Sequence, residues 1–228
     1  MKIVSIIGSP KGVEGNTGAL LKIVLEGAES KGAETEIIAI KGQEVKPCKG
    51  CDTCHKKGSC PQKDDYPTIK AKVMKADGLI LASPNYISNV SAQMKAFLDR
   101  CCGVVHCQDF QGKYGASVVS SGGGDEKAIA DYLQHFLAVT GGVPVGSVWA
   151  TMGQIEGRNF PEDLRNKAFT LGEKVVLAWK NKEASREYGK VTAQFRERMR
   201  SLITWRKHEW PFEYDFWREC RGLDDTST

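Results

Sequence analysis

The amino-terminal stretch over residues 1–17, MKIVSIIGSPKGVEGNT, sets the interpretation of the rest of the chain. Residues 2–7 form a short apolar run that ends at Gly8, and a glycine-containing turn follows it. Residues 17–31 then predict an amphipathic helix, one side of which carries Leu20, Leu21, Val24 and Leu25. A strand that passes through a turn into such a helix is the opening of a βαβ unit. The sequence therefore predicts a parallel α/β sheet that begins with this strand.

The same alternation continues along the chain. Further apolar strands are predicted over residues 35–40, 78–82, 114–120 and 145–150. The helices between and after them are predicted over residues 68–75, 90–105, 125–140 and 161–182. Strands separated by helices imply a parallel sheet covered on both faces, and right-handed crossovers favour a five-stranded doubly wound sheet of order 2-1-3-4-5. We therefore expect one α/β domain over residues 1–182, with a cysteine-rich insertion at 47–66, and an extension over 183–228.

Composition and charge exclude several classes of partner. The chain of 228 residues has a net charge of +4, and its basic residues are scattered, so no nucleic-acid partner is indicated. No apolar run approaches the ~18–20 residues that a membrane-spanning helix needs. The first apolar run is shorter than that of a signal peptide and leads straight into the glycine-containing turn. These observations predict a cytoplasmic protein with no membrane partner.

The loop after the first strand offers groups that bind phosphate. Between Gly8 and Thr17 it supplies hydroxyls, an amide side chain and backbone N–H groups at a helix amino terminus. It lacks the Lys-Ser/Thr ending of a triphosphate-binding loop and the G-x-G-x-x-G spacing of a dinucleotide site. A phosphate monoester is therefore the predicted ligand, and a capped helix after a glycine-rich turn is the alternative interpretation.

Two later strand ends predict an apolar slot at the same edge of the sheet. Residues 83–89, SPNYISN, follow the third strand, and residues 120–124, SSGGG, follow the fourth. In a doubly wound sheet, ligands bind beyond the carboxyl ends of the strands, where the strand order reverses. A proline, an aromatic ring and three glycines at that edge form a shelf for a flat ring such as an isoalloxazine.

Together these motifs resemble those of a known family. Two motifs carry the resemblance: G-S-P-x4-G-N-T after the first strand and S-P-x-Y after the third. They are similar to the motifs of the NAD(P)H-dependent FMN reductases of flavodoxin-like fold. The resemblance covers residues 1–180 and implies that the cofactor is FMN. It implies that the phosphate is bound by Ser9, Lys11, Asn16 and Thr17. It further implies that the flavin ring lies between two sets of residues, Pro84, Asn85, Tyr86 and Ile87 on one side and Ser121, Gly122 and Gly123 on the other.

Four of the eight cysteines lie in one short segment. They are Cys48, Cys51, Cys54 and Cys60, and Pro61 follows the last of them. Closely spaced C-x2-C-x2-C lets one loop present three thiolates to a cubane cluster, with the fourth ligand further along. Zinc sites usually combine two separated pairs of ligands, and zinc or free thiols are the alternatives to a cluster. Cytoplasmic reducing conditions disfavour disulfides among these cysteines.

The cysteine spacing resembles that of the iron–sulfur flavoproteins, a branch of the same family. This resemblance implies one 4Fe-4S cluster, bound by the same four cysteines. It also implies a homodimer or homotetramer in which the cluster and the flavin meet across a subunit contact. Reduced ferredoxin is the electron donor that the branch implies.

The prediction for function is a flavin-dependent oxidoreductase. Electrons would move between a donor, either reduced ferredoxin or NAD(P)H, and a small-molecule acceptor by way of the cluster and FMN. No side chain is assigned as a catalytic acid or base, because the cofactors carry the chemistry. Two alternatives are an NAD(P)H-dependent quinone or nitro-compound reductase with incidental cysteines, and a non-enzymatic redox sensor.

The extension over residues 183–228 is interpreted from its own residues. Its first part predicts a helix with one apolar face made of Val191, Phe195, Met199, Leu202 and Ile203. Six aromatic residues then follow within residues 205–217. Because aromatic and arginine side chains are enriched in interface cores, we predict that residues 184–218 embrace a neighbouring subunit. Packing of the extension onto its own domain is the alternative.

The remaining polar residues are given ordinary structural roles. His55 is predicted to be a solvated loop residue, and Asp64 and Asp65 are predicted to cap the next helix. Cys101 and Cys102 are predicted to be buried or half-buried thiols. No acidic or nucleophilic partner is predicted for the histidines outside the cysteine segment, His106, His135 and His208.

Overall fold

The central sheet has the predicted topology. The computed structural model describes residues 1–42, 44–155 and 157–223. Its five strands are β1 (Lys2–Gly8), β2 (Glu34–Ile40), β3 (Gly78–Pro84), β4 (Tyr114–Ser121) and β5 (Val143–Thr151). They lie in the order β2-β1-β3-β4-β5, and every neighbouring pair is parallel. The prediction of a five-stranded doubly wound sheet is confirmed.

Helices cover both faces of the sheet. One face packs against α1 (Asn16–Ser30) and α7 (Glu162–Asn181). The other packs against α3 (Tyr66–Lys75), α4 (Ala92–Arg100) and α6 (Glu126–Val139). Alternate residues of β1 serve the two cores, with Ile3 and Ile7 on the first face and Val4 and Ile6 on the second. Because both faces are buried, the strand is a continuous apolar run rather than an alternating one.

Two glycines allow α1 and α7 to touch backbone to backbone. A Cβ atom on Gly27 would lie 1.9 Å from the Phe169 carbonyl oxygen. A Cβ atom on Gly172 would lie 1.8 Å from the Val24 carbonyl oxygen. Both distances are shorter than any side-chain contact, so only glycine fits at these two positions.

The helix predicted over residues 90–105 is two helices, and this corrects the prediction. Ser91 caps α4 by accepting a hydrogen bond from the Met94 backbone N–H at 3.1 Å. The helix ends at Arg100, and α5 (Cys102–Cys107) begins after Cys101. A further short helix, α2 (Thr53–Lys57), lies inside the cysteine segment, where none was predicted.

The extension forms α8 (Gly189–Trp205) and α9 (Pro211–Arg221). The apolar face predicted for α8 contributes to a third core, in which Trp217 of α9 is fully buried. The Trp217 indole N–H donates to the His106 carbonyl oxygen at 3.0 Å, which fixes α9 against α5. The extension therefore packs onto its own domain, and contact with a neighbouring subunit stays a prediction. No helix within the described residues is both long and apolar enough to cross a membrane.

Candidate functional site

The loops that follow β1, β3 and β4 lie together at the carboxyl edge of the sheet. The Thr17 hydroxyl, at the start of α1, is 2.6 Å from the Ser120 hydroxyl at the end of β4. Ser91, before α4, donates to the carbonyl oxygen of Gly8 at 2.6 Å. These contacts bring the predicted phosphate loop and the two predicted ring-binding loops to one place.

The loop after β1 presents donors at the amino terminus of α1. Ser9 is buried, and its hydroxyl accepts from the Lys11 backbone N–H at 3.3 Å. Asn16 is the first residue of α1, and the N-cap Gly15 provides no side-chain cap. The first N–H groups of the helix therefore lack a side-chain acceptor, and a helix amino terminus in this condition favours an anion.

The loops after β3 and β4 bring together a hydrogen-bond acceptor without a partner and glycines with free space around them. Asn85 donates from its amide to the Gly124 carbonyl oxygen at 2.8 Å and to the Ser121 hydroxyl at 3.2 Å. Its amide oxygen is buried and has no hydrogen-bond partner among the described residues. A Cβ atom built on Gly122 or Gly123 would meet no atom within 4 Å. An orphaned acceptor beside unobstructed glycines fits a flat ligand with N–H groups on its edge.

The turn after β3 has an uncommon backbone. Pro84 is buried at the end of the strand, whereas Tyr86 is half exposed and Ile87 is fully exposed. Ile87 and Ser88 have φ angles of +51° and +57°. A β-branched residue in the left-handed region is strained, and such strain concentrates at ligand-binding loops. The turn thus holds the apolar side chain of Ile87 in solvent.

The cysteine segment is a tightly folded loop around α2. Gly50, Asp52 and Gly58 adopt positive φ angles, which let the chain reverse between the thiols. All four cysteines are free; Cys48 and Cys51 are exposed, and the other two are half-buried. Cys54 and Cys60 line one cavity of about 360 Å³.

Local hydrogen-bond donors reach two of these sulfur atoms. The Cys48 sulfur accepts from the Gly50 backbone N–H at 3.4 Å. Hydrogen bonds from Thr53 lower the pKa of the Cys51 thiol. Four free thiols on one loop match the donor chemistry of an iron–sulfur cluster.

A buried ion pair holds the two ends of the cysteine segment. Arg100 on α4 donates to Asp64 at 2.5 Å and to the Lys46 carbonyl oxygen at 3.0 Å. The side chains of the pair are 0% and 2% exposed. Burial raises the pKa of Asp64, but hydrogen bonds from Arg100 and from backbone N–H groups outweigh it and hold that pKa below its usual value. Asp64 also accepts from the backbone N–H of Tyr66 at 3.2 Å, so it caps α3 as predicted, whereas Asp65 makes no side-chain cap hydrogen bond.

Four polar side chains beside the cysteine loop form a cluster that the sequence interpretation missed. They are His55 on α2, Cys102 and His106 on α5, and Glu213 on α9. The Glu213 carboxylate contacts Nδ1 of His55 at 2.5 Å and Nδ1 of His106 at 3.0 Å. The Cys102 sulfur lies 3.6 Å and 4.0 Å from the Nε2 atoms of the same two rings. We refer to these residues as the His–Cys–Glu cluster.

The burial of this cluster overturns two predictions. His55 is 4% exposed, so it is not a solvated loop residue, and His106 has both an acidic and a thiol neighbour. Glu213 is 0% exposed. The tilted ring of Trp210 lies over both imidazoles, with centroid distances of 4.7 Å and 5.1 Å.

Mutual stabilisation shifts the pKa values within the cluster. Burial lowers the pKa of His106, but hydrogen bonds to Cys102 and Glu213 outweigh it and raise the pKa to about 9. Hydrogen bonds from His106 and His55 lower the pKa of Cys102 to about 6. Burial raises the pKa of Glu213, and the two imidazoles reverse this effect and hold it below its usual value. The cluster is thus arranged around a thiolate and a carboxylate.

One local signal in the sequence points to part of this cluster. Cys102 and His106 are four residues apart, the spacing that places two side chains on one face of a helix. Two potential ligands at this spacing are typical of helical metal motifs. Glu213, in contrast, lies 158 residues from His55, and no local pattern connects them.

Comparison with known proteins identifies the family. The sequence pattern of the NADPH-dependent FMN reductase family matches residues 1–157. An iron-sulfur flavoprotein of Archaeoglobus fulgidus is 38% identical over 220 residues, which cover 96% of this chain and 98% of the relative. An iron-sulfur flavoprotein of Methanosarcina thermophila is 36% identical over 151 residues, which cover 64% of this chain and 78% of the relative.

Solved structures agree on the fold. RosB, solved with the bound intermediate 8-demethyl-8-formylriboflavin-5'-phosphate, superimposes with a TM-score of 0.67 at 15% identity, covering 85% of each chain. An apo NADH:FMN oxidoreductase gives a TM-score of 0.60 at 20% identity, covering 78% of this chain and 89% of that one. The chain therefore belongs to the NADPH-dependent FMN reductase family of flavin-dependent oxidoreductases, within the branch of the iron–sulfur flavoproteins.

Proposed function

We propose that this protein is an electron-transfer oxidoreductase that holds one FMN and one 4Fe-4S cluster. Its cysteine segment and its strand-end loops provide two separate sets of groups, each suited to one of these cofactors. Electrons pass between reduced ferredoxin or NAD(P)H as the donor and a small-molecule acceptor. The names of the relatives, which are iron–sulfur flavoproteins, support this assignment.

The flavin site uses the loops at the carboxyl edge of the sheet. The phosphate is held by side-chain donors and by the free N–H groups of α1. The residues are Ser9, Lys11, Asn16 and Thr17. Asn85 offers its buried, unpartnered oxygen to an N–H group on the ring edge. The remaining ring contacts are Pro84, Tyr86, Ile87, Ser121, Gly122 and Gly123. Bound FMN supplies one- and two-electron chemistry, and these residues orient it.

The observation that carries the proposal is the folded cysteine loop. Four free thiols lie on a segment whose backbone reverses at positive φ angles, and both ends of that segment are pinned by Arg100. A cluster at Cys48, Cys51, Cys54 and Cys60 supplies one-electron transfer. Incidental thiols would need neither the reversals nor the buried ion pair.

The assembly is proposed to be a homodimer or homotetramer in the cytoplasm. In such an assembly the cluster of one subunit lies near the flavin of another. Exposed aromatic side chains of the extension support a contact between subunits, since Trp205 is 72% exposed and Phe212 is 41% exposed. Aromatic rings of this kind are enriched in interface cores.

Anaerobic purification followed by cofactor analysis tests the proposal. We expect about four irons, about four sulfides and about one FMN per chain, the content of one cubane cluster and one flavin. Zinc without sulfide would rule out the cluster. Reduction by ferredoxin, compared with reduction by NADPH under the same conditions, identifies the donor.

A second function is favoured by one further relative. A protein named NAD(P)H dehydrogenase (quinone) from Cupriavidus metallidurans is 27% identical over 144 residues, which cover 62% of this chain and 69% of that relative. On this alternative the chain reduces quinones with NAD(P)H, and the cysteines are incidental. Steady NAD(P)H oxidation by quinone in a Cys51→Ala variant, at the rate of the unaltered protein, would support it.

A further inference from the structure

The distances within the His–Cys–Glu cluster match those between ligands of one metal ion. Two ligands of a tetrahedral zinc ion, with sulfur at about 2.3 Å and nitrogen at about 2.0 Å from the metal, lie about 3.6 Å apart. The Cys102 sulfur is 3.6 Å from His55 Nε2 and 4.0 Å from His106 Nε2. The sulfur and the two nitrogens therefore need only small shifts to share a cation.

Glu213 holds both rings in the orientation that such a cation requires. Its two carboxylate oxygens accept from Nδ1 of His55 and from Nδ1 of His106. A proton on each Nδ1 leaves each Nε2 with a free lone pair directed towards Cys102. A carboxylate behind a histidine is the usual outer-shell partner of a metal-binding imidazole.

The burial and the ligand types of the cluster also suit a cation. Glu213 is 0% exposed, and the ring of Trp210 lies over both imidazoles. The two imidazole rings are stacked side by side, with centroids 4.6 Å apart. A cysteine sulfur and two histidine nitrogens are ligand types that zinc prefers in proteins.

We propose that Cys102, His55 and His106 bind a divalent cation of the zinc class, with Glu213 as its outer-shell carboxylate. The site takes His55 from the four-cysteine loop but uses none of the four thiols of that loop. It joins α2 to α5 directly and joins both to α9 through Glu213. Three protein ligands leave the fourth coordination position to water.

Metal analysis of the anaerobically prepared holoprotein tests this site. The protein is incubated with zinc sulfate, freed of excess by gel filtration, and analysed for zinc, iron, sulfide and FMN. We expect one zinc per chain, about four irons and an unchanged FMN content. Cys102→Ser and His106→Gln should lose the zinc and keep the iron, and Glu213→Gln should weaken zinc binding about 10–100-fold. His55 is left unaltered because it follows Cys54.

Matched controls separate this site from adventitious binding. His135 and Cys220 are exposed, so His135→Gln and Cys220→Ser should retain the zinc. Cobalt loading gives a second readout, since a thiolate-bound tetrahedral Co²⁺ ion absorbs in the red in the unaltered protein and should not do so in Cys102→Ser. The proposal is overturned if the unaltered protein retains no zinc, if Cys102→Ser retains it, or if zinc enters only as iron leaves.

Discussion

The flavin-side loops and the cysteine segment differ in what brings their residues together. Thr17 meets Ser120, and Asn85 meets Ser121, because β1, β3 and β4 are neighbours in one parallel sheet. His55 meets Glu213 only because α9 docks beside α2. The first site follows from the regular register of strands, and the second depends on the docking of a helix from the far end of the chain. The two sites should therefore respond differently to damage.

Removal of the extension should give the largest difference between the two sites. A chain truncated after Lys182 lacks Glu213 and Trp217, which cover the cysteine loop and α5. We expect iron to fall from about four per chain to near zero, while FMN remains at about one. We also expect a smaller assembly by light scattering. Full iron content and an unchanged assembly size in the truncated protein would contradict this expectation.

Replacement of one predicted cluster ligand should remove one cofactor only. Cys51→Ala should abolish the iron and sulfide content and leave FMN bound, because no flavin-side loop contacts that residue in the described contacts. Cys220→Ala is the matched control, since that cysteine is also exposed and lies outside the loop. Loss of both cofactors from a folded Cys51→Ala protein would show that the two sites are not independent.

Breaking the buried ion pair should destabilise the whole domain. Asp64→Asn leaves Arg100 buried without its counter-charge, and such a change costs about 3–5 kcal/mol in the free energy of unfolding. Urea denaturation at neutral pH measures it, and Asp65→Asn, at the neighbouring residue with no resolved ion pair among the described contacts, is the control.

The same pair should also give a defined pH dependence. The pKa of Asp64 is lowered in the folded state, so its stabilisation is present above the unfolded value of about 3.9 and is lost as the pH falls through the lower folded value. The difference between Asp64→Asn and the unaltered protein should therefore shrink in acid. A constant difference from pH 7 to pH 3 would mean that the cost has another origin.

A single change in the phosphate loop should give the smallest effect. Thr17→Val keeps the shape of the side chain and removes its hydroxyl, which lies 2.6 Å from Ser120. A hydrogen bond to a charged group contributes about 1.5–3 kcal/mol, so FMN should bind about 10–100-fold more weakly. Fluorescence titration with FMN measures this, while the iron content should stay unchanged. Equal FMN affinity of Thr17→Val and the unaltered protein would show that Thr17 does not bind the phosphate.

The predictable part of this molecule is the part with local periodicity. The order of the sheet can be predicted from the apolar runs of β1 to β5 and the turns after them. This is possible because right-handed crossovers connect the parallel strands. The sequence predicts no break at Cys101, because the apolar residues of α4 and α5 together follow the spacing of one helix. Glu213 could not be assigned, because the contact that buries it joins residues 158 positions apart. The burial of His55 is not predictable from local sequence either, because Glu213 of α9 and Trp210, which cover it, are distant in the chain.

The position of α9 in the chain has a consequence for how the protein matures. The amino-terminal part of a chain is made first during synthesis, and structural units fold in that order. The strands and carboxyl-edge loops of the sheet are therefore made before α9, and the proposed FMN site is complete before the cover of the cysteine loop exists. The cysteine loop receives its cover last, when Trp210 and Glu213 arrive. If the cysteine loop holds the proposed cluster, iron and sulfide have an open period for insertion during synthesis, which closes when α9 docks.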